Sequence, residues 1–154
     1  MTIEDDIAFL ERVPALRLLG RDALRILAIG SENRYIHEGI SLFGEGEDAD
    51  GAYLVQEGSF DLVSQNSSIA PSVAGPGTLI GELALFTETK RPVTATAREP
   101  SSVVRIPRQL FLKMLEGYPD AALRMRDAVA ARVNRTAGEF ARVRSVLTGG
   151  PARK

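Results

Sequence analysis

The sequence predicts a mainly β fold with flanking helices: an antiparallel β-roll or jelly roll with N-terminal helices and a long C-terminal helix. Three observations predict it. Apolar residues recur at helical spacing up to residue 30, short apolar runs alternate with turn residues from Arg34 to Ile106, and helical spacing returns after Pro107.

In chain order, segments 3–10 and 20–29 are expected as helices, because Ile7, Leu10, Leu24, Leu27 and Ala28 fall on apolar stripes. Pro14 breaks the run between them. Strands are expected over 41–43, 53–56, 60–64, 93–97 and 103–106, separated by turn signals at Gly39, Gly44 to Gly46, Asp50-Gly51, Glu57-Gly58, Asn66 to Ser68, Gly75-Pro76-Gly77 and Pro100. A short helix follows over 108–115 and a long one over 120–147, with Pro119 and Asp120 at its start. This order implies one domain over 1–148, with N-terminal helices in 1–30, the roll in 31–107, C-terminal helices in 108–148 and a flexible tail over 149–154.

Composition narrows the function. A chain of 154 residues that is 44% hydrophobic can bury one substantial core. Nineteen basic against twenty acidic residues give a net charge of −1, so no global field favours nucleic acid or an anionic membrane. The absence of Cys excludes disulfides, thiolate nucleophiles and cysteine metal sites. The acidic start Met-Thr-Ile-Glu-Asp-Asp lacks the basic and apolar regions of a signal peptide, so a soluble cytoplasmic protein is expected. His37, the single histidine, is expected as a solvent-facing strand residue beside Glu38, with no catalytic arrangement or metal cluster around it. Metal-binding jelly rolls need several histidines, so that class is set aside. No enzymatic activity is expected.

The most informative stretch is Gly81 to Thr94, Gly-Glu-Leu-Ala-Leu-Phe-Thr-Glu-Thr-Lys-Arg-Pro-Val-Thr. Glu82 can accept a hydrogen bond from a hydroxyl, Arg91 can grip an anion through a two-pronged fork, and the amides of Leu83, Ala84 and Leu85 open a helical turn. A sugar phosphate suits all of them. Taken alone, the same pair reads as a surface ion pair on a helix-to-strand connection, and only the surrounding pattern reverses that reading.

The stretch resembles the phosphate-binding cassette of the cyclic nucleotide-binding domain family, in which Gly-Glu-Leu-Ala-Leu precedes an Arg, small residues and Thr. The resemblance runs from about Leu10 to Leu147 and includes the turns at Gly39, Gly46 and Gly58. It implies that Glu82 takes the ribose 2′-hydroxyl, Arg91 the cyclic phosphate, and the Ala84 and Leu85 amides the exocyclic oxygens, with Gly81 allowing close backbone approach. Pro92 departs from the family, which places Ala, Ser or Thr there and uses its amide; Val93 follows it at the site. Losing that donor costs roughly 1.5–3 kcal/mol unless water or a shifted ligand replaces it, while Pro92 also sets Arg91 in extended geometry. Members favouring cyclic GMP often carry a hydroxyl at this position, so the resemblance implies cyclic AMP ahead of cyclic GMP.

In the long helix Val129, Val133, Thr136, Phe140, Val143 and Leu147 are spaced alternately four and three apart, a heptad seam suited to a homodimer or to packing on the roll. From Tyr118-Pro119-Asp120 this element resembles the dimerisation helix of catabolite activator proteins, whose Thr contacts the adenine amino group; Thr136 falls at that position and Ala137 replaces the neighbouring Ser. Those proteins continue into a helix-turn-helix domain, which is not expected here. The arginines at 124, 126, 132, 135, 142 and 144 are interleaved with Asp127 and Glu139 and read as a solvated face, so direct DNA binding is not expected. The expectation is a stand-alone regulatory module that binds a cyclic nucleotide, needs no cofactor or metal and signals to an unknown protein partner. The alternative is a degenerate domain, disabled by Pro92, that acts as a dimerisation or protein-interaction scaffold.

Overall fold

The computed structural model describes residues 2–66 and 68–128. Helices α1 (Ile3–Glu11), α2 (Pro14–Arg17) and α3 (Arg21–Gly30) lead into ten strands: β1 (Glu32–Ile36), β2 (Ser41–Phe43), β3 (Asp48–Ala49), β4 (Gly51–Glu57), β5 (Phe60–Val63), β6 (Ser72–Ala74), β7 (Leu79–Ile80), β8 (Thr89–Lys90), β9 (Thr94–Ala97) and β10 (Ser101–Pro107). A single 3₁₀ turn (Glu82–Leu85) separates β7 from β8, α4 (Arg108–Gly117) follows β10, and residues 119–128 are helical. The strands form two four-stranded antiparallel sheets, ordered β1-β10-β4-β7 and β2-β9-β5-β6, with β3 and β8 as a separate two-stranded pair. The expected β-roll with flanking helices is therefore present.

Two cores share the first sheet. Ala52 and Leu54 of β4, with Val104 and Ile106 of β10, face a helix-side core of Ile7, Leu10, Leu24, Leu27 and Phe111. Tyr53 and Val55, with Val103, face the interior of the roll, where they meet Phe43, Phe60, Ala95 and Ala97. Alternate β4 residues thus enter different cores, which is why this strand reads as an unbroken apolar run. The second sheet has one wet face: in β9 Ala95 and Ala97 are buried and Thr94 and Thr96 are not.

Several expectations need correction. Pro14 breaks the helical run as expected, and it also opens a helix that was not expected, α2, where its missing N–H has no cost. Gly51 is not a turn residue but the first residue of β4, where a Cβ would overlap the Ile106 carbonyl and Pro107 of β10. His37 is exposed, as expected, but lies one residue past β1, its ring edge-on to Tyr35 at 4.8 Å. Strands β3, β6, β7 and β8 were not expected, and the strand expected around His37 is β1, which ends at Ile36. The expected strand 93–97 begins at Thr94, and 60–64 ends at Val63.

Residues 119–128 are joined to the N-terminal helices by Arg124, whose Nε donates to the Leu18 carbonyl at 2.6 Å and whose Nη2 donates to Leu19 at 3.2 Å. The seam at Val129, Val133, Thr136, Phe140, Val143 and Leu147, and the tail 149–154, lie outside the described residues.

Candidate phosphate-binding turn

The site is built on the connection from β7 to β9. Gly81 follows β7 with φ +80°, a left-handed conformation that only glycine adopts without strain, and caps the Glu82–Leu85 turn. Ala84 and Leu85 anchor the turn: both are buried, Leu85 in the helix-side core. Glu82 at the first position is half-buried, whereas Leu83 is 59% exposed. The turn is 3₁₀, and the Ala84 amide donates to the Gly81 carbonyl at 3.0 Å. That corrects the expectation of three open amides, since the Ala84 donor is already used to close the turn.

Arg91 lies between β8 and β9, and its backbone is fixed on both sides. Its amide donates to the Glu47 carbonyl at 2.8 Å, and its carbonyl accepts from the Gly46 amide at 2.8 Å. The Glu45 amide donates to Thr94 Oγ1 at 2.9 Å, so segments 45–47 and 91–94 are laced together around the exposed Pro92 and half-buried Val93. The adjoining β3–β8 pair carries an exposed Lys90–Asp48 ion pair.

Arg91 is only 4% exposed. Its guanidinium carbon stands 4.3 Å from the centroid of the Phe43 ring and 5.6 Å from that of Tyr53, a cation–π bed that offsets part of the desolvation. Nε and Nη1 are buried without a hydrogen-bond partner among the described residues. Burial pushes the guanidinium below its usual pKa, against the opposing pull of Tyr53, Asp50 and Glu47, yet an arginine stays charged at neutral pH. Buried polar groups are normally satisfied, so these two donors have the chemistry to take an anionic partner.

The two ends of the sequence motif meet in space. A Cβ on Gly81 would overlap Arg91 Nη1, so the glycine backbone lies directly against the guanidinium. Thr136, expected at the base, lies outside the described residues. Phe43 and Tyr53, the aromatic bed, were missed; they come from different sheets, and nothing in their local sequence pairs them. Arg108 was also missed. Its Nη1 donates to the carbonyls of Ala49, Ala84 and Thr87, which brings α4 onto the turn.

A buried arginine lies beside a glycine-capped turn in an antiparallel roll, and comparison with known proteins gives this arrangement a family. Residues 33–118 match the model of the cyclic nucleotide-binding domain, and the chain belongs to that family. The solved structure of a cyclic nucleotide-binding-like protein from Brucella abortus is 36% identical, with a TM-score of 0.64 over 73% of this chain and 98% of that one. Among curated relatives, lysophospholipase nte1 of Neurospora crassa is 32% identical over 64% of this chain, and the cAMP-dependent protein kinase regulatory subunit of Yarrowia lipolytica is 29% identical over 70%. The chain spans only 7% of the lysophospholipase and 28% of the regulatory subunit. Among the described residues no helix is long and apolar enough to cross a membrane.

Proposed function

We propose that this domain binds cyclic AMP, in preference to cyclic GMP, as a regulatory input rather than a catalytic one. The observation that carries the reading is the buried Arg91, with Nε and Nη1 unpartnered and the Gly81 turn against it. In this reading the cyclic phosphate pairs with Arg91, the ribose hydroxyl with Glu82, and the turn at Leu83 to Leu85 borders the phosphate, with Pro92 and Val93 at its edge. The similarity to a cAMP-dependent protein kinase regulatory subunit supports the choice of nucleotide. So does Pro92, which offers no hydroxyl for guanine. Calorimetric titration with each nucleotide tests this, and cyclic AMP is expected to bind more tightly. Cyclic GMP binding tenfold tighter would reverse the preference, and no heat with either at millimolar concentration would favour the scaffold reading.

The output proposed is a change in the C-terminal helical region that another protein reads, with Thr136 and Phe140 covering the base. Heptad spacing in the sequence supports a homodimer through 129–147. Phe140→Glu would place like charges in that seam, and light scattering at tens of micromolar is expected to show a dimer for the parent and a folded monomer for the variant. A monomeric parent removes this part of the proposal.

A further inference from the structure

The half-buried Arg108 is the first residue of α4, immediately after β10. Its amide donates to the Asp50 carbonyl at 2.7 Å, which fixes the helix start to the corner between β3 and β4. Its Nη1 donates to Ala49 at 3.0 Å, Ala84 at 3.1 Å and Thr87 at 3.0 Å, so two N–H bonds are shared among three carbonyl oxygens. The last carbonyls of a helical turn have no partners within it and carry partial negative charge, and a guanidinium answers both needs. The turn is therefore held between two arginines: Arg91 lies against Gly81 at its start, and Arg108 grips Ala84 and Thr87 at its end.

We infer that Arg108 is a positioning residue that couples the turn to the C-terminal helices. Displacement of the turn towards an anion on Arg91 moves two of the three carbonyls that Arg108 holds, while Ala49 and the Asp50 contact keep its other attachments on β3 and its exit. That differential pull acts on the first residue of α4. The same helix carries Phe111, packed edge-on against Phe86 at the end of the turn, and leads through Tyr118 into residues 119–128. A lysine keeps the charge without the planar fork, and a methionine keeps only the stem. The coupling rests on the proposed nucleotide binding; the clamp itself does not.

Amide hydrogen exchange on the full chain, with cyclic AMP as the probe, tests both parts. Without nucleotide, Arg108→Met is expected to speed exchange at least about tenfold over residues 82–90 and at the start of α4, while β9 is unchanged. No change, or acceleration throughout the chain, overturns the clamp. With saturating nucleotide, the parent is expected to gain protection in both the turn and α4; Arg108→Met keeps the gain in the turn and loses it in α4, and Arg108→Lys restores part of it. A full α4 response in the methionine variant overturns the coupling. A parent with no response to cyclic AMP refutes the proposed ligand, while the nucleotide-free comparison still decides the clamp.

Discussion

Arg91→Met is expected to abolish stabilisation by cyclic AMP while leaving the nucleotide-free protein at least as stable as the parent. The two effects have opposite signs because the guanidinium is buried without hydrogen-bond partners at Nε and Nη1. Removing one partner of a dehydrated ion pair costs about 3–5 kcal/mol, so nucleotide affinity should fall more than a hundredfold. In the free protein the same charge bears a desolvation cost of several kcal/mol, of which the cation–π bed of Phe43 and Tyr53 returns a part, about 2 kcal/mol for a dehydrated contact. Methionine fits the same space and makes favourable sulfur contacts with both rings. Burial lowers the Arg91 pKa, so the native state holds this proton less tightly than the unfolded chain; its contribution varies with pH only in strongly alkaline solution and is constant around neutrality. Thermal melts with and without nucleotide check the expectation. A free variant that melts well below the parent would show that the cation stabilises the fold.

Phe111→Ala is the substitution expected to cost most stability. Phe111 is fully buried in the helix-side core, and its ring meets Phe86 edge-on at 5.4 Å and 80°. Truncating a buried phenylalanine costs about 3–5 kcal/mol, out of roughly 5–15 kcal/mol that holds a domain of this size together. A fall in melting temperature of about 10 °C or more follows. The neighbouring Leu112, 40% exposed, provides the control: its change to Ala should cost far less. Equal losses at the two positions, measured by urea denaturation, would contradict the described packing.

What the sequence made legible depended on whether one segment carried the signal by itself. The run Ala52-Tyr53-Leu54-Val55 announces a strand buried on both faces, and Gly81, Glu82 and Arg91 announce an anion site through their types and order. The paired β3 and β8 have two residues each, too few for any periodicity. Strand β1, Glu-Asn-Arg-Tyr-Ile, is almost wholly exposed at a sheet edge and has no apolar alternation to mark its ends. Gly51 looked like a turn because glycine usually marks one; the need for it comes from the backbone of β10, more than fifty residues away. The contacts that finish the site, Phe43 and Tyr53 under Arg91 and Arg108 on three carbonyls, exist only after the chain has folded.

The strand shared by both cores also determines where the chain can grow. One extra residue within β4 would exchange Ala52 and Leu54 with Tyr53 and Val55, sending the Tyr53 phenol towards the helices and leaving a methyl group in its place in the roll, so both interiors would fail together. The same holds for β10, whose Val103 and Val104 point into different cores. Added length, whether a tag, a probe or an inserted domain, therefore belongs in the connection between β5 and β6, whose described residues are mostly exposed and contribute nothing to either core.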